Sequence, residues 1–360
     1  MAPLGAHFPE HFMKPVRTLT TPRLTRRRLL ALTGGVALGS LALGRVCAQD
    51  AAGGVVAGVE APPAFRIIDM DWADATRDRA VPVRLYLPDA SQPQASQPVP
   101  LVVFSHGIGG SRLGYSYLGK HLAANGIACL HLQHVGSDRN LWFGNPFTLV
   151  GRLQKAADEV EARARAADLH FALTTLLAQP ELAQRIDASR IAAGGHSYGA
   201  NTTMLAAGAR VQRGGEVLQL AEPLLKGALL LSSPPFYGER DLSRILGPIT
   251  LPTLHITTTE DVINVPGYHS PVEDRLAVYQ AMGSRQKALA VFEGGSHSIF
   301  TDRTGPGGPE LNARVKQATQ DFALAFLQSL FNGSVQAPGV SFTAVRDKHA
   351  ALIHRFDSVA

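Results

Sequence analysis

Three side chains in this 360-residue chain have the types needed to break an acyl bond: Ser197 in Gly195-His196-Ser197-Tyr198-Gly199, Asp261 in Thr259-Glu260-Asp261, and His297 in Gly294-Gly295-Ser296-His297-Ser298. A serine hydroxyl is a poor nucleophile at neutral pH, so it needs a base to take its proton and an acid to orient that base. His297 suits the base, because imidazole gains and returns a proton near neutrality. Asp261 and Glu260 are neighbours, and only one of them can face the histidine; Asp261 is favoured for its shorter, more tightly orienting side chain. Backbone N–H groups of the glycine-rich stretch His106-Gly107-Ile108-Gly109-Gly110 could receive the negative oxygen that forms as serine attacks, together with the N–H of Tyr198. That stretch lacks the Lys-Ser/Thr pair of a phosphate-binding loop, so a nucleotide is not expected there.

The serine pentapeptide alone says little in a chain with 35 glycines. Its context says more. "LVVFS", "IACLHL", "RIAAGG", "GALLLSS", "PTLHITT" and "ALAVFEG" are apolar throughout, as central parallel strands covered on both faces must be. Two further strands, "FRIIDMDWAD" and "AVPVRLYLP", precede them across the polar turn "ATRDR", and "DASQPQASQPVP" reads as a surface insertion. "RLQKAADEVEARARAADLHFALTTLLAQ" predicts one long helix with Val160, Ala164, Ala167 and Phe171 on its buried face. The pattern is that of one α/β domain with a mostly parallel sheet, whose ligands sit at the carboxyl ends of the strands. Ser197, Asp261 and His297 each follow such a strand, and the small residues of "GANTTMLAAGA" let a helix start directly after the serine. Trp142 and Phe143 in "NLWFGNPF" are expected either to line an acyl or alcohol pocket or to cap the core. His131 and His134, placed on a strand, would point to opposite faces, so neither a metal nor a cofactor is expected.

Residues 1–48 read differently from the rest. Arg26-Arg27-Arg28, an apolar run from Leu29 to Leu43 and the small-residue end Val46-Cys47-Ala48 have the layout of a twin-arginine export signal cleaved after Ala48, with Met13 as an alternative start. The run holds about fifteen residues against the roughly twenty of a membrane span. Its removal takes seven basic residues and one acidic one, leaving 27 against 28 and a net charge of −1 in place of +5. No nucleic-acid partner is therefore expected. The expected partners are the twin-arginine machinery and a small or polymeric ester substrate, and the expected location is periplasmic or secreted. Residues 49–64 read as a flexible leader, 65–333 as the catalytic domain and 334–360 as an extension without assigned role. Cys129, the one cysteine beyond the signal, is expected in the core.

"PLVVFSHGIGGSRLGYSYLGKHLAANGIACLHLQHVGSD", "GGHSYGANTT" and "LPTLHITTTEDVINVP" with "FEGGSHSIF" resemble the α/β-hydrolase superfamily. More narrowly they are similar to bacterial serine esterases grouped with platelet-activating-factor acetylhydrolases and dienelactone hydrolases, over about residues 65–332. The resemblance implies an α/β-hydrolase fold, a Ser197, Asp261, His297 triad and an oxyanion hole from the backbone of Ile108 and Tyr198. Dienelactone hydrolases use a cysteine nucleophile, so their lactone substrate does not carry over. The acetylhydrolases take their acid after the preceding strand, where this chain reads "LLLSSPPF"; the acid one strand later matches cutinase-like polyester hydrolases. An exported ester hydrolase is the reading that follows, with an acyltransferase or a non-catalytic binding protein on the same fold as alternatives.

Overall fold

The computed structural model describes residues 64–91, 97–213, 215–236, 238, 241–265, 268–332 and 341–359. The expected export segment and all but the last residue of the leader lie outside the described residues. Among the described residues nine strands form one sheet: β1 Phe65–Asp74, β2 Arg79–Pro88, β3 Val99–Ser105, β4 Ala128–Leu132, β5 Ile186–His196, β6 Leu225–Leu231, β7 Thr253–Glu260, β8 Lys287–Ser296 and β9 Ile353–Val359. Their order is β1-β2-β4-β3-β5-β6-β7-β8-β9. From β4 to β8 every pair is parallel, while β1, β2 and β9 join antiparallel. The six uniformly apolar segments are these six parallel strands.

Alternation along each strand divides the core in two. Val102 and Phe104 of β3 face Leu118 and Leu122 of helix α1 (Ser116–Ala124) and Phe322 of a long C-terminal helix. Leu101 and Val103 face the opposite side, with Leu169, Ala172 and Leu176. Cys129 of β4 is fully buried, and burial pushes its thiol far above the ordinary range, which makes it inert packing.

The single helix expected over "RLQKAADEVEARARAADLHFALTTLLAQ" is corrected in two respects. Asp158 divides it: its side chain accepts from the Glu161 N–H at 2.8 Å and caps a new helix. The result is α2 (Leu149–Ala156) followed by α3 (Glu159–Ala178). Nor is Val160 inward, being 75% exposed; the buried face carries Glu161, Arg165, Asp168, Leu169, Ala172 and Leu176. Apolar periodicity missed this face because three of its members are charged and paired instead of excluded. Arg79 of β2 bonds to both Asp168 and Glu161, His134 bonds to Asp168 at 2.9 Å, and Ser137 donates to Glu161 at 2.8 Å. A buried charge is tolerated on those terms.

The described part of the C-terminal segment completes the sheet. Beyond helix α6 (Gly308–Asn332), with α4 (Tyr198–Ala206) and α5 (Val272–Ala281) preceding it, comes α7 (Phe342–Lys348) and then β9 on the edge of β8. Phe342 and Phe356 stack with Phe322 of α6 at 6.2 and 5.6 Å between ring centroids. The tail is thus a structural layer that buries one flank of α6.

Candidate active site

Five parallel strands end on polar residues at one edge of the sheet. β3 leads into His106, β5 into Ser197, β6 into Ser232, β7 into Asp261 and β8 into His297. Ser197 lies between β5 and α4 with φ 55° and ψ −122°, a left-handed backbone that costs a non-glycine residue on the order of 1–3 kcal/mol. Such a turn pushes the side chain out of the sheet. It closes only because its flanks lack side chains: a Cβ at Gly199 would run into the Ser105 carbonyl, and one at Gly195 into that of Gly199.

His297 opens a short 3-10 turn after Gly294 and Gly295, both at positive φ. Its Nε2 lies 2.7 Å from Ser197 Oγ and its Nδ1 2.7 Å from Asp261 Oδ1. Ser197 is 7% exposed and Asp261 wholly buried, while the His297 side chain keeps 19% exposure. Glu260, the alternative acid, is the exposed last residue of β7 and takes no part in this chain of contacts. Burial alone would raise the Asp261 carboxyl. Hydrogen bonding and charge from His297, the charge of Arg275 and the Ser232 hydroxyl outweigh that and hold it far below the usual carboxylate range.

Ser232 went unmarked in the sequence, although the end of "LLLSS" is a strand end like the others. It is fully buried at φ 53°, donates through Oγ to Asp261 Oδ2 and lies 3.0 Å from His297 Nδ1. Its hydroxyl thus braces both partners.

A second brace runs from the glycine-rich loop to the histidine. The Gly107 N–H donates to Tyr115 Oη at 3.2 Å, Tyr115 bonds to His196 Nδ1 at 2.9 Å, and His196 Nε2 meets the His297 carbonyl at 2.9 Å. Burial, then the charge of His297, pulls His196 down to about 3. A neutral ring fits, accepting from Tyr115 at Nδ1 and donating from Nε2.

In the glycine-rich loop most N–H groups are already engaged: Gly107 with Tyr115, Gly109 with the Ser137 carbonyl at 2.8 Å, Gly110 with the Gly107 carbonyl at 3.0 Å. Among the described residues, the N–H groups of Ile108 and Tyr198 make no hydrogen bond. Arg165 ties their surroundings together. Its guanidinium is fully buried, donates to Thr202, Ser137 and the His106 carbonyl, and lies 4.5 Å over the Tyr198 ring.

Trp142 and Phe143 are 44% and 63% exposed and do not cap the core. The Trp142 indole N–H donates to the Gly109 carbonyl at 2.9 Å, so the ring lies on the glycine-rich loop. His131 and His134 are both buried, His134 beyond the end of β4 and committed to Asp168 and Ser105. Among the described residues no group of three or more His, Cys, Asp or Glu side chains is placed to hold a metal ion.

Compared with known proteins, residues 79–140 match the family described as platelet-activating factor acetylhydrolase, isoform II. That segment runs from β2 through the glycine-rich loop to Asn140 and stops short of Ser197. No curated protein matches the chain. Among solved structures it is similar to a ferulic acid esterase from Streptomyces cinnamoneus, with 21% identity, a TM-score of 0.57, and 85% of this chain and 99% of that one covered. The fold is that of the α/β-hydrolases, as the resemblance implied, with the mostly parallel sheet expected from the strand pattern.

Proposed function

We propose that this chain is a serine hydrolase of carboxylic esters. The observation that carries the reading is the continuous contact chain Ser197–His297–Asp261 on a strained turn, beside two unengaged N–H groups. Ser197 Oγ attacks the ester carbonyl while His297 Nε2 takes its proton. Asp261 holds the ring with Nδ1–H donating, so that Nε2 is the free acceptor. The carbonyl oxygen, now negative, meets the N–H groups of Ile108 and Tyr198. As the tetrahedral adduct collapses, the His297 proton passes to the leaving alcohol, and an acyl-Ser197 remains. Water, activated by the same histidine, then releases the acid. The match to an acetylhydrolase family over residues 79–140 and the fold shared with a ferulic acid esterase support this class. Trp142 on the glycine-rich loop supports an apolar portion of substrate lying against that wall.

With p-nitrophenyl acetate the expected result is an initial burst of p-nitrophenol and an adduct mass of one acetyl group on the Ser197 peptide. Hydrolysis without any trapped acyl group, even after rapid quenching, would count against the covalent route. Added short alcohols separate an acyltransferase, which would divert most of the acyl group to a new ester.

Export is the second part of the proposal and is supported by residues 1–48 alone. N-terminal sequencing of protein recovered outside the cytoplasm should begin at Gln49. A chain that retains Arg26 to Arg28 after fractionation would sink the signal reading.

A further inference from the structure

Arg275 of α5 is a buried cation beside Asp261. Its side chain is 1% exposed and Nη1 donates to Ser270 Oγ, yet among the described residues Nε and Nη2 have no hydrogen-bond partner. Nε lies 3.6 Å from Asp261 Oδ1, too far to hydrogen-bond and close enough for its charge to count. Asp261 has no need of it as a donor. Its Oδ1 already accepts from His297, and its Oδ2 from Ser232 and from Thr257 at 2.6 Å. A buried cation with two idle nitrogens is costly, and an apolar side chain would fill the same space at less expense. What Arg275 supplies is positive charge.

That charge matters in one protonation state. A base must be neutral before it acts, and a neutral His297 leaves Asp261 as a wholly buried anion. The surrounding groups do not balance it. His196 of β5 is neutral, Ser232 and Thr257 are hydroxyls, Glu260 is exposed at the end of β7, and His269 of the hairpin that follows is exposed as well. Asp274 of α5, which accepts from Ser270 Oγ, is a second anion, linked to Arg275 through that hydroxyl.

Resting on the serine-hydrolase reading, we propose that Arg275 is a positioning residue that balances the Asp261 carboxylate while His297 is neutral, and so sets the pH at which hydrolysis switches on. Protonating His297 puts a second cation on Asp261. Removing the Arg275 charge takes away an opposing cation, so the protonated, inactive imidazole persists to higher pH.

The test compares wild type, Arg275→Met and Arg275→Lys, reading kcat/KM for p-nitrophenyl acetate and the rate of fluorophosphonate labelling against pH. The acidic limb should move up by roughly 0.5–1 pH unit in Arg275→Met, in both readouts, and return close to wild type in Arg275→Lys. Superimposable limbs for all three proteins overturn the inference while leaving the nucleophile intact. No labelling of the wild type overturns both. If Arg275→Met is too unstable for kinetics, melting temperatures decide. Its loss should shrink sharply in the Asp261→Asn background, where no buried anion is left uncompensated, and an equal loss in both backgrounds reduces Arg275 to packing.

Discussion

Ser197→Ala should lower kcat/KM for a soluble ester by about 10⁵- to 10⁶-fold and abolish fluorophosphonate labelling. The effect is large because Ser197 is the sole covalent partner in the proposed route, whereas the N–H groups of Ile108 and Tyr198 survive the substitution and sustain only residual turnover. The fold should tolerate the change. The left-handed backbone at φ 55° is as unfavourable for alanine as for serine, and among the described residues the lost hydroxyl bonds only to His297. A thermal melt within a few degrees of wild type is therefore the control. Labelling of the alanine variant at the wild-type rate would move the nucleophile elsewhere, and full ligand binding without any hydrolysis in the wild type would favour the binding-protein alternative.

Asp261→Asn should lower kcat by about 10⁴-fold with little change in KM. An asparagine fills the same space, but it can present a donor to Nδ1, and the ring then settles with its proton on Nε2, facing Ser197. Ser232 and Thr257 both donate to the Asp261 Oδ2 and would also have to turn away from an amide NH₂. Glu260→Gln, one residue before Asp261 and exposed at the end of β7, should stay within about twofold of wild type. Kinetics of the two variants side by side decide the acid: a greater loss for Glu260→Gln would reassign it.

The six apolar strands in their succession along the chain and the strand-end positions of Ser197, Asp261 and His297 could be read from the sequence, because fully covered strands are apolar throughout and short. The buried face of α3 could not. Glu161, Arg165 and Asp168 look like solvent-facing residues until β2 supplies Arg79 and the 134–137 loop supplies His134 and Ser137, partners separated from them by 24 to 89 positions. Its shorter side chain favours Asp261 over Glu260, and the fold supplies the reason that tells them apart. Sequence places both at a strand end, and only the turn after β7 directs one inward and leaves the other in solvent.

By itself the sequence determined the fold class, the order of chemistry-bearing strand ends and the glycines that let Ser197 take a left-handed turn, since these follow from local period and sterics. Tertiary structure decided the rest: Ser232 and Arg275 on either side of Asp261, the Tyr115–His196 brace, Arg165 behind the glycine-rich loop, and the C-terminal strand on the edge of β8. Each of these is a polar or edge contact whose partner is remote in the chain. Pairing of that kind leaves no periodic trace, because a charge or hydroxyl becomes a buried residue only when its partner arrives.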